Sequence, residues 1–270
     1  MKRSVWITII TIITVCCVIG GTFYHIFRRG ASLFGHGEMG QTSLELDAFR
    51  VVKVDANLMD VTVTVGDQFY LDSKYTDGLE PLYEVKNGTL TIKQRTYNRW
   101  GINNAECSLS LTVPAQEVVD LIDVHTALGN INLEGISASE CELLSNLGNC
   151  TLKKCSFAEA DLTTNMGEIS VNDTSLGEAE VDNDMGEIAL DGCTFGNLSI
   201  TAAMGSVTVD TAQALDGYDI DLESDMGSVY VNNRSEGTKY HQSGKDGELE
   251  IETNMGEAVK NLVSMNKNFS

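Results

Sequence analysis

The chain has 270 residues, 42% hydrophobic and 21% charged, with 39 acidic against 18 basic side chains and a formal net charge of −21. Four of the basic side chains and none of the acidic ones fall in the first thirty residues, so the remainder carries −25. So acidic a body repels phosphate backbones, which excludes nucleic acid as a partner, and it attracts cations or basic proteins.

After a short N-terminal tail, residues 1–4, the stretch Val5–Phe27 is overwhelmingly apolar and holds no acidic or strongly basic side chain. At helical rise it is long enough to cross a hydrocarbon core of about 30 Å, which predicts one transmembrane α-helix and a lipid bilayer as partner. A cleaved secretory signal is the competing reading, but the apolar run exceeds the usual signal core and no small-x-small site closes it. Cys16 and Cys17 invite a lipoprotein reading, yet Val15 precedes them where a small residue is needed. Lys2 and Arg3 before the segment balance Arg28 and Arg29 after it, so charge does not orient it. Residues 28–41 read as a linker.

From 42 to 263 the pattern is all-β. Val52, Val54, Ala56, Val61 and Val63 alternate as a strand does, with Met59 at a bend, and read as a degenerate first coil. Strand-like runs follow at Gln68–Tyr75, Tyr83–Lys86, Thr89–Lys93 and Ser108–Val113, with a hairpin signal at Asn87-Gly88. Between the last two runs lies the insertion Gln94–Glu106, which gathers Arg95, Tyr97, Arg99 and Trp100 in an otherwise acidic chain.

A repeat then takes over. Gly129, Gly148, Gly167, Gly186 and Gly205 are spaced by nineteen residues, and Gly227 and Gly256 continue the phrase at longer intervals. Five residues before each glycine stand Val124, Leu143, Leu162, Val181, Ile200, Leu222 and Ile251; immediately before stand Leu128, Leu147, Met166, Met185, Met204, Met226 and Met255. Two and four residues after come further apolar columns beginning at Ile131 and Leu133. All four columns are expected to face inward, with a slip of parity at the glycine where the chain bends. Columns seven and nine residues past the glycine, from Ile136 and Ala138 to Ala212 and Ala214, are expected inside as well. Nineteen extended residues trace roughly 60 Å, enough for a closed coil of two or three faces, so the fold expected is a β-solenoid, a β-helix-like stack of coils.

The last interval is lengthened by a second insertion, Asn232–Gly247, carrying Arg234, Lys239, Tyr240, His241 and Lys245. Arg95, Arg99, Trp100, Arg234 and Tyr240 are the candidate partner-binding residues, because arginine and aromatic side chains favour binding anchors. The plainer reading makes both insertions caps over the coil ends. Lys260 interrupts an apolar column, as a polar terminal coil would, and residues 264–270 form a C-terminal tail.

Catalytic and cofactor signatures are lacking. His25, His36, His125 and His241 show no ligand spacing, and no nucleophile elbow, phosphate loop or dinucleotide fingerprint occurs, so no enzyme, metal or cofactor is expected. Glu168 and Glu187, one coil apart, would approach the carboxylate separation of a retaining glycosidase, but any repeated carboxylate in a solenoid does so. Cys107, Cys141, Cys150, Cys155 and Cys193 are expected to be free, four of them buried in inward columns.

The run Asn87-Gly88-Thr89-Leu90-Thr91-Ile92, the Leu109–Pro114 strand ending in proline and units such as Thr164-Asn165-Met166-Gly167-Glu168-Ile169-Ser170-Val171 together resemble a bacterial family, the "putative adhesin" domain of unknown function 4097. The resemblance implies a β-repeat domain outside the cytoplasmic membrane, often membrane anchored, and supplies no catalytic residues. The function expected is a non-enzymatic, single-pass, extracytoplasmic adhesin-like or envelope-stress and signalling interaction module, with an envelope protein or cell-wall polysaccharide as partner. The alternative is a β-helix that binds or processes polysaccharide in the groove along its coils.

Overall fold

The computed structural model describes residues 39–262, apart from 77, 95–105, 116, 118 and 212. The expected helix Val5–Phe27 and the side chains of Arg95, Arg99 and Trp100 lie outside the described residues. Among those described, no helix is long and apolar enough to cross a membrane.

Strand β1 (Met39–Glu45) precedes β2 (Val51–Leu58) and β3 (Asp60–Gly66), which meet at Met59 and form the degenerate coil read from the sequence. Next come β4 (Tyr70–Thr76), β5 (Pro81–Lys86), β6 (Thr89–Gln94) and β7 (Ser108–Pro114). Asn87 and Gly88 turn β5 into β6 with φ of 52° and 75°, the left-handed pair that a two-residue hairpin needs. Five regular coils follow, each a long strand and a short one: β8 (Val119–Leu128) with β9 (Ile131–Glu134), β10 (Ser137–Leu147) with β11 (Cys150–Lys153), and β12 (Ser156–Met166) with β13 (Ile169–Asn172). The other two are β14 (Ser175–Met185) with β15 (Ile188–Asp191), and β16 (Thr194–Met204) with β17 (Val207–Thr211). The chain ends in β18 (Asp219–Ser224), β19 (Val229–Val231), β20 (Arg234–Gly237), β21 (Lys239–Gln242), β22 (Glu248–Met255) and β23 (Ala258–Leu262).

Each coil therefore has two faces. Long strands stack into one sheet and short strands into the other, and the parallel register repeats every nineteen residues, as in Leu143, Leu162, Val181 and Ile200 or Ile169, Ile188 and Val207. Nineteen residues close one circuit, and the next coil supplies the hydrogen-bond partners that a single coil lacks.

The order of the coils departs from sequence at both ends. The coil β6–β7 lies outside β2–β3, and β22–β23 is wedged between β16–β17 and β18–β19. Lys260 is accordingly not on a terminal coil. It pairs in register with Val209 on one side and Val231 on the other and is 4% exposed, so the expectation of a polar end there is corrected. Burial lowers its pKa, opposed by the charge of Asp216. The actual ends are antiparallel strands: β4 and β5 close one, with β1 added to β4, while β20 and β21 close the other. The insertion Asn232–Gly247 is thus a cap and also the path by which the chain returns to insert its last coil. Antiparallel cover of this kind blunts the exposed edge of a parallel sheet.

The core fills the space between the sheets. Side chains five before and two after each repeat glycine are at most 1% exposed, as expected. The residues immediately before the glycine are not inside: Leu128, Leu147, Met166, Met185, Met204, Met226 and Met255 are 37–68% exposed. The last inward position of the long strand is instead two residues earlier, at Thr126, Ser145, Thr164, Asn183, Ala202, Ser224 and Thr253, and the backbone has begun to turn by the next inward-parity position. Most of these small polar side chains have a task there. Ser145 Oγ donates to Gly129 O at 3.0 Å, Asn183 Nδ2 to Gly167 O at 2.8 Å and Ser224 Oγ to Gly256 O at 2.8 Å, satisfying corner carbonyls. Ala214 is exposed and Leu215 is buried in its place; Ala212 lies outside the described residues. The five cysteines described are free and buried, and burial pushes the Cys150 thiol up to about 12 and that of Cys193 to about 11.

Candidate functional site

Parallel register converts a repeated residue into a row. On the outer face of the long-strand sheet, Glu140, Glu159 and Glu178 pair strand to strand, as do Glu142, Asp161 and Glu180. Asn197 and Ser199 interrupt the rows on β16, and Glu248 and Glu250 resume them on β22. Adjacent strands are about 4.8 Å apart, so the carboxylates of a row repel one another along the stack. Glu159, Asp161, Glu178, Glu180, Glu248 and Glu250 surround a depression of about 290 Å³ in this face. Partial burial raises the pKa of Glu250, with Glu252, Glu248 and Asp221 adding to the effect. Burial likewise raises Asp182, against a hydrogen bond from Thr201, and Asp161 and Asp184 push the same way.

The opposite face is uncharged along its middle. Thr62, Asn132, Thr151, Ser170, Ala189 and Thr208 form one register row on the short strands. The stacked rows of carboxylates therefore lie on the long-strand face; the next outward row of the short strands is mixed, with Glu134, Lys153, Asn172, Asp191 and Asp210. The rows are written in the sequence as carboxylates at nineteen-residue intervals, away from the glycine corner at which the candidate pair stands. Glu168 and Glu187, the pair singled out there, are exposed at the corner. The Glu168 backbone N–H donates to Asn149 Oδ1 at 2.9 Å.

Toward the first coils the acidic face meets cations. Arg50 holds Asp120 through two bonds, Nε to Oδ2 at 2.9 Å and Nη2 to Oδ1 at 2.6 Å, and this hydrogen bonding raises the arginine pKa. Lys53 Nζ donates to Asp123 Oδ2 at 2.9 Å, which raises the lysine pKa. His125 is outward facing, as expected, with Nε2 3.3 Å from Asp123 Oδ1 and 3.5 Å from Glu142 Oε1. Histidine-to-histidine spacing could not reveal this group; its signal is an Asp-x-His pair on one strand face with a carboxylate nineteen residues after the aspartate.

Of the candidate anchors, Arg234 and Tyr240 both fall on the terminal cap. Arg234 opens β20 and is exposed, whereas Tyr240 on β21 is half-buried, packs against the core and donates its hydroxyl to Gln242 Oε1 at 3.1 Å. Lys239 pairs closely with Glu223 beside it. The two candidates thus sit on different sheets of one cap rather than in one pocket.

Solved structures with a related shape include a "putative adhesin" from Bacteroides fragilis, 12% identical, with 83% of this chain and 97% of that chain covered and a TM-score of 0.48. Another is a "putative lipid binding protein" from Parabacteroides distasonis, 17% identical, covering 85% and 98% with a TM-score of 0.45. A "putative cell adhesion protein" from Clostridium sporogenes is 18% identical over 84% and 100%, with a TM-score of 0.33. No curated protein matches the chain. The family described as Toastrack DUF4097 matches residues 50–268, which takes in the first coil, the whole repeat and the inserted last coil, and the chain belongs to that family.

Proposed function

We propose that the protein is a non-enzymatic interaction module, anchored by Val5–Phe27 and displayed on the outer side of the membrane, that offers the acidic face of its long-strand sheet to a basic protein of the cell envelope. The observation that carries this reading is the unequal distribution of charge: two in-register rows of carboxylates on the long-strand face, against one neutral row and one of mixed charge on the short strands. A charged patch of one sign speeds encounter with a complementary partner and rejects partners of like charge. Arg95, Arg99 and Trp100, in the connection from β6 to β7, and Arg234 and Tyr240 on the opposite cap are secondary contacts in this proposal.

A polysaccharide-binding or polysaccharide-processing role is the second reading, favoured by the carboxylate-lined depression. Its lining includes no aromatic side chain on which a sugar ring could stack, and the interaction reading is preferred for that reason. A photo-crosslinking residue at Glu159 and another at Ser170 separate the faces in living cells. The proposal expects a protein adduct from the first position, lost when Glu178→Lys is added, and none from the second. Equal labelling from both positions, or an adduct indifferent to charge reversal, would remove the acidic face from the account.

A further inference from the structure

The geometry points to a binding site for a divalent transition-metal ion of the zinc type, formed by Asp123, His125 and Glu142. Asp123 and His125 stand two residues apart on β8 and so share a face, and Glu142 lies opposite Asp123 in the register with β10. One ligand atom from each of the three lies within 4.8 Å of the other two. His125 Nε2 is shielded from solvent and has no hydrogen-bond partner, although two carboxylate oxygens stand 3.3 and 3.5 Å away. Those separations suit an ion between the groups. Zinc bonds to imidazole nitrogen and carboxylate oxygen are about 2.0–2.2 Å long, and at a tetrahedral angle they set neighbouring ligand atoms about 3.3–3.6 Å apart.

The donor set selects the class of ion. One imidazole with two carboxylates suits zinc and its first-row neighbours, whereas calcium and magnesium take oxygen ligands and copper(I) takes sulfur. Lys53 holds the other Asp123 oxygen, Oδ2, at 2.9 Å and so leaves Oδ1 directed at the site, the part an outer partner plays around a metal. Asp55 pairs with His125 and Asp161 with Glu142, adding negative charge that concentrates cations nearby. Three protein ligands leave a fourth position for water or for a donor from a partner. A bound ion would tie β8 to β10 directly, and to β2 through Lys53.

The test uses the full-length chain, titrated with Zn²⁺ by calorimetry and with Co²⁺ by visible spectroscopy. One saturable equivalent, tetrahedral Co²⁺ bands and a higher unfolding temperature with Zn²⁺ are expected. His125→Gln should weaken binding at least about tenfold and abolish the bands, while Glu236→Gln, on the distant cap, should change neither. Unchanged unfolding temperatures without metal verify that both variants are folded. Absence of saturable binding would overturn the proposal, and so would equal binding by the His125→Gln protein, which would assign the ions to the acidic rows or the thiols.

Discussion

Each coil turns two corners, and they are built on different constraints. At the first, Gly186 has a φ of 147° and a Cβ added there would overlap the carbonyl oxygen of Gly167 in the neighbouring coil. At the second, six residues on, the chain also enters the left-handed region, at Gly135, Lys154, Asp173 and Gly192 with φ of 74°, 55°, 49° and 66°. There the near contacts are side chains rather than backbone carbonyls: a Cβ at Gly135 would meet the Val65 side chain at 3.4 Å, and one at Gly192 the carboxylate of Asp173 at 2.8 Å. Positive φ alone tolerates lysine and aspartate at a modest cost, but positive φ with neighbouring backbone against the Cα does not. The strict glycine period is thus the imprint of coil-to-coil approach rather than of turning.

The contrast is broken most severely by Gly186→Val, which adds a branched side chain at positive φ and forces the stacked backbones apart. It should lower stability by about 3 kcal/mol or more in a urea melt; a near-normal midpoint would show that the first corner is no tighter than the second. Between the corners of the last coil, Lys260→Met should stabilise by about 1–2 kcal/mol by removing a buried amine from an apolar column. The sign with pH follows from its lowered pKa: below lysine's ordinary value the unfolded chain binds more protons, so wild-type stability rises with pH and the advantage of methionine shrinks. Thermal melts from neutral to alkaline pH check this, and a gap that widens would contradict it. Asn183→Ala leaves the Gly167 carbonyl without its donor and should cost about 1 kcal/mol; Ala202 already occupies the same column one coil on, which keeps the figure small. Lys154→Gly should raise stability by about 0.5 kcal/mol, because relief at φ 55° outweighs the added freedom of the unfolded chain. A loss in that variant would mean the lysine side chain does more at the second corner than tolerate it.

Much of the stack could be read from residues. Alternation around the glycines located the columns at Val124 and Ile131, and the same columns picked out the first coil despite Met59 at its corner, where Gly129 now packs against the Met59 carbonyl. The methionines before the glycines misled because apolarity was equated with burial, whereas at a bend the inward positions run out and small polar side chains two residues earlier take the last place inside. Coil order was illegible for another reason. β22 offers the same columns to β16 and to β18, so nothing local in Leu249 or Ile251 states that it lies between them. Only the long path from Gly227 to Gly256, with room for β20 and β21, permits the excursion and return. The acidic rows and the Asp123, His125 and Glu142 group were visible as nineteen-residue coincidences, but their meaning depends on register, which the two-sheet coil supplies.

The central claim, that the acidic stack is displayed outside a membrane by Val5–Phe27, is tested most directly by adding protease to intact cells after removal of any cell wall. The account predicts that residues 39–262 are digested while a cytoplasmic marker survives. Protection of the domain until the membrane itself is breached would place it on the inner side and contradict the account.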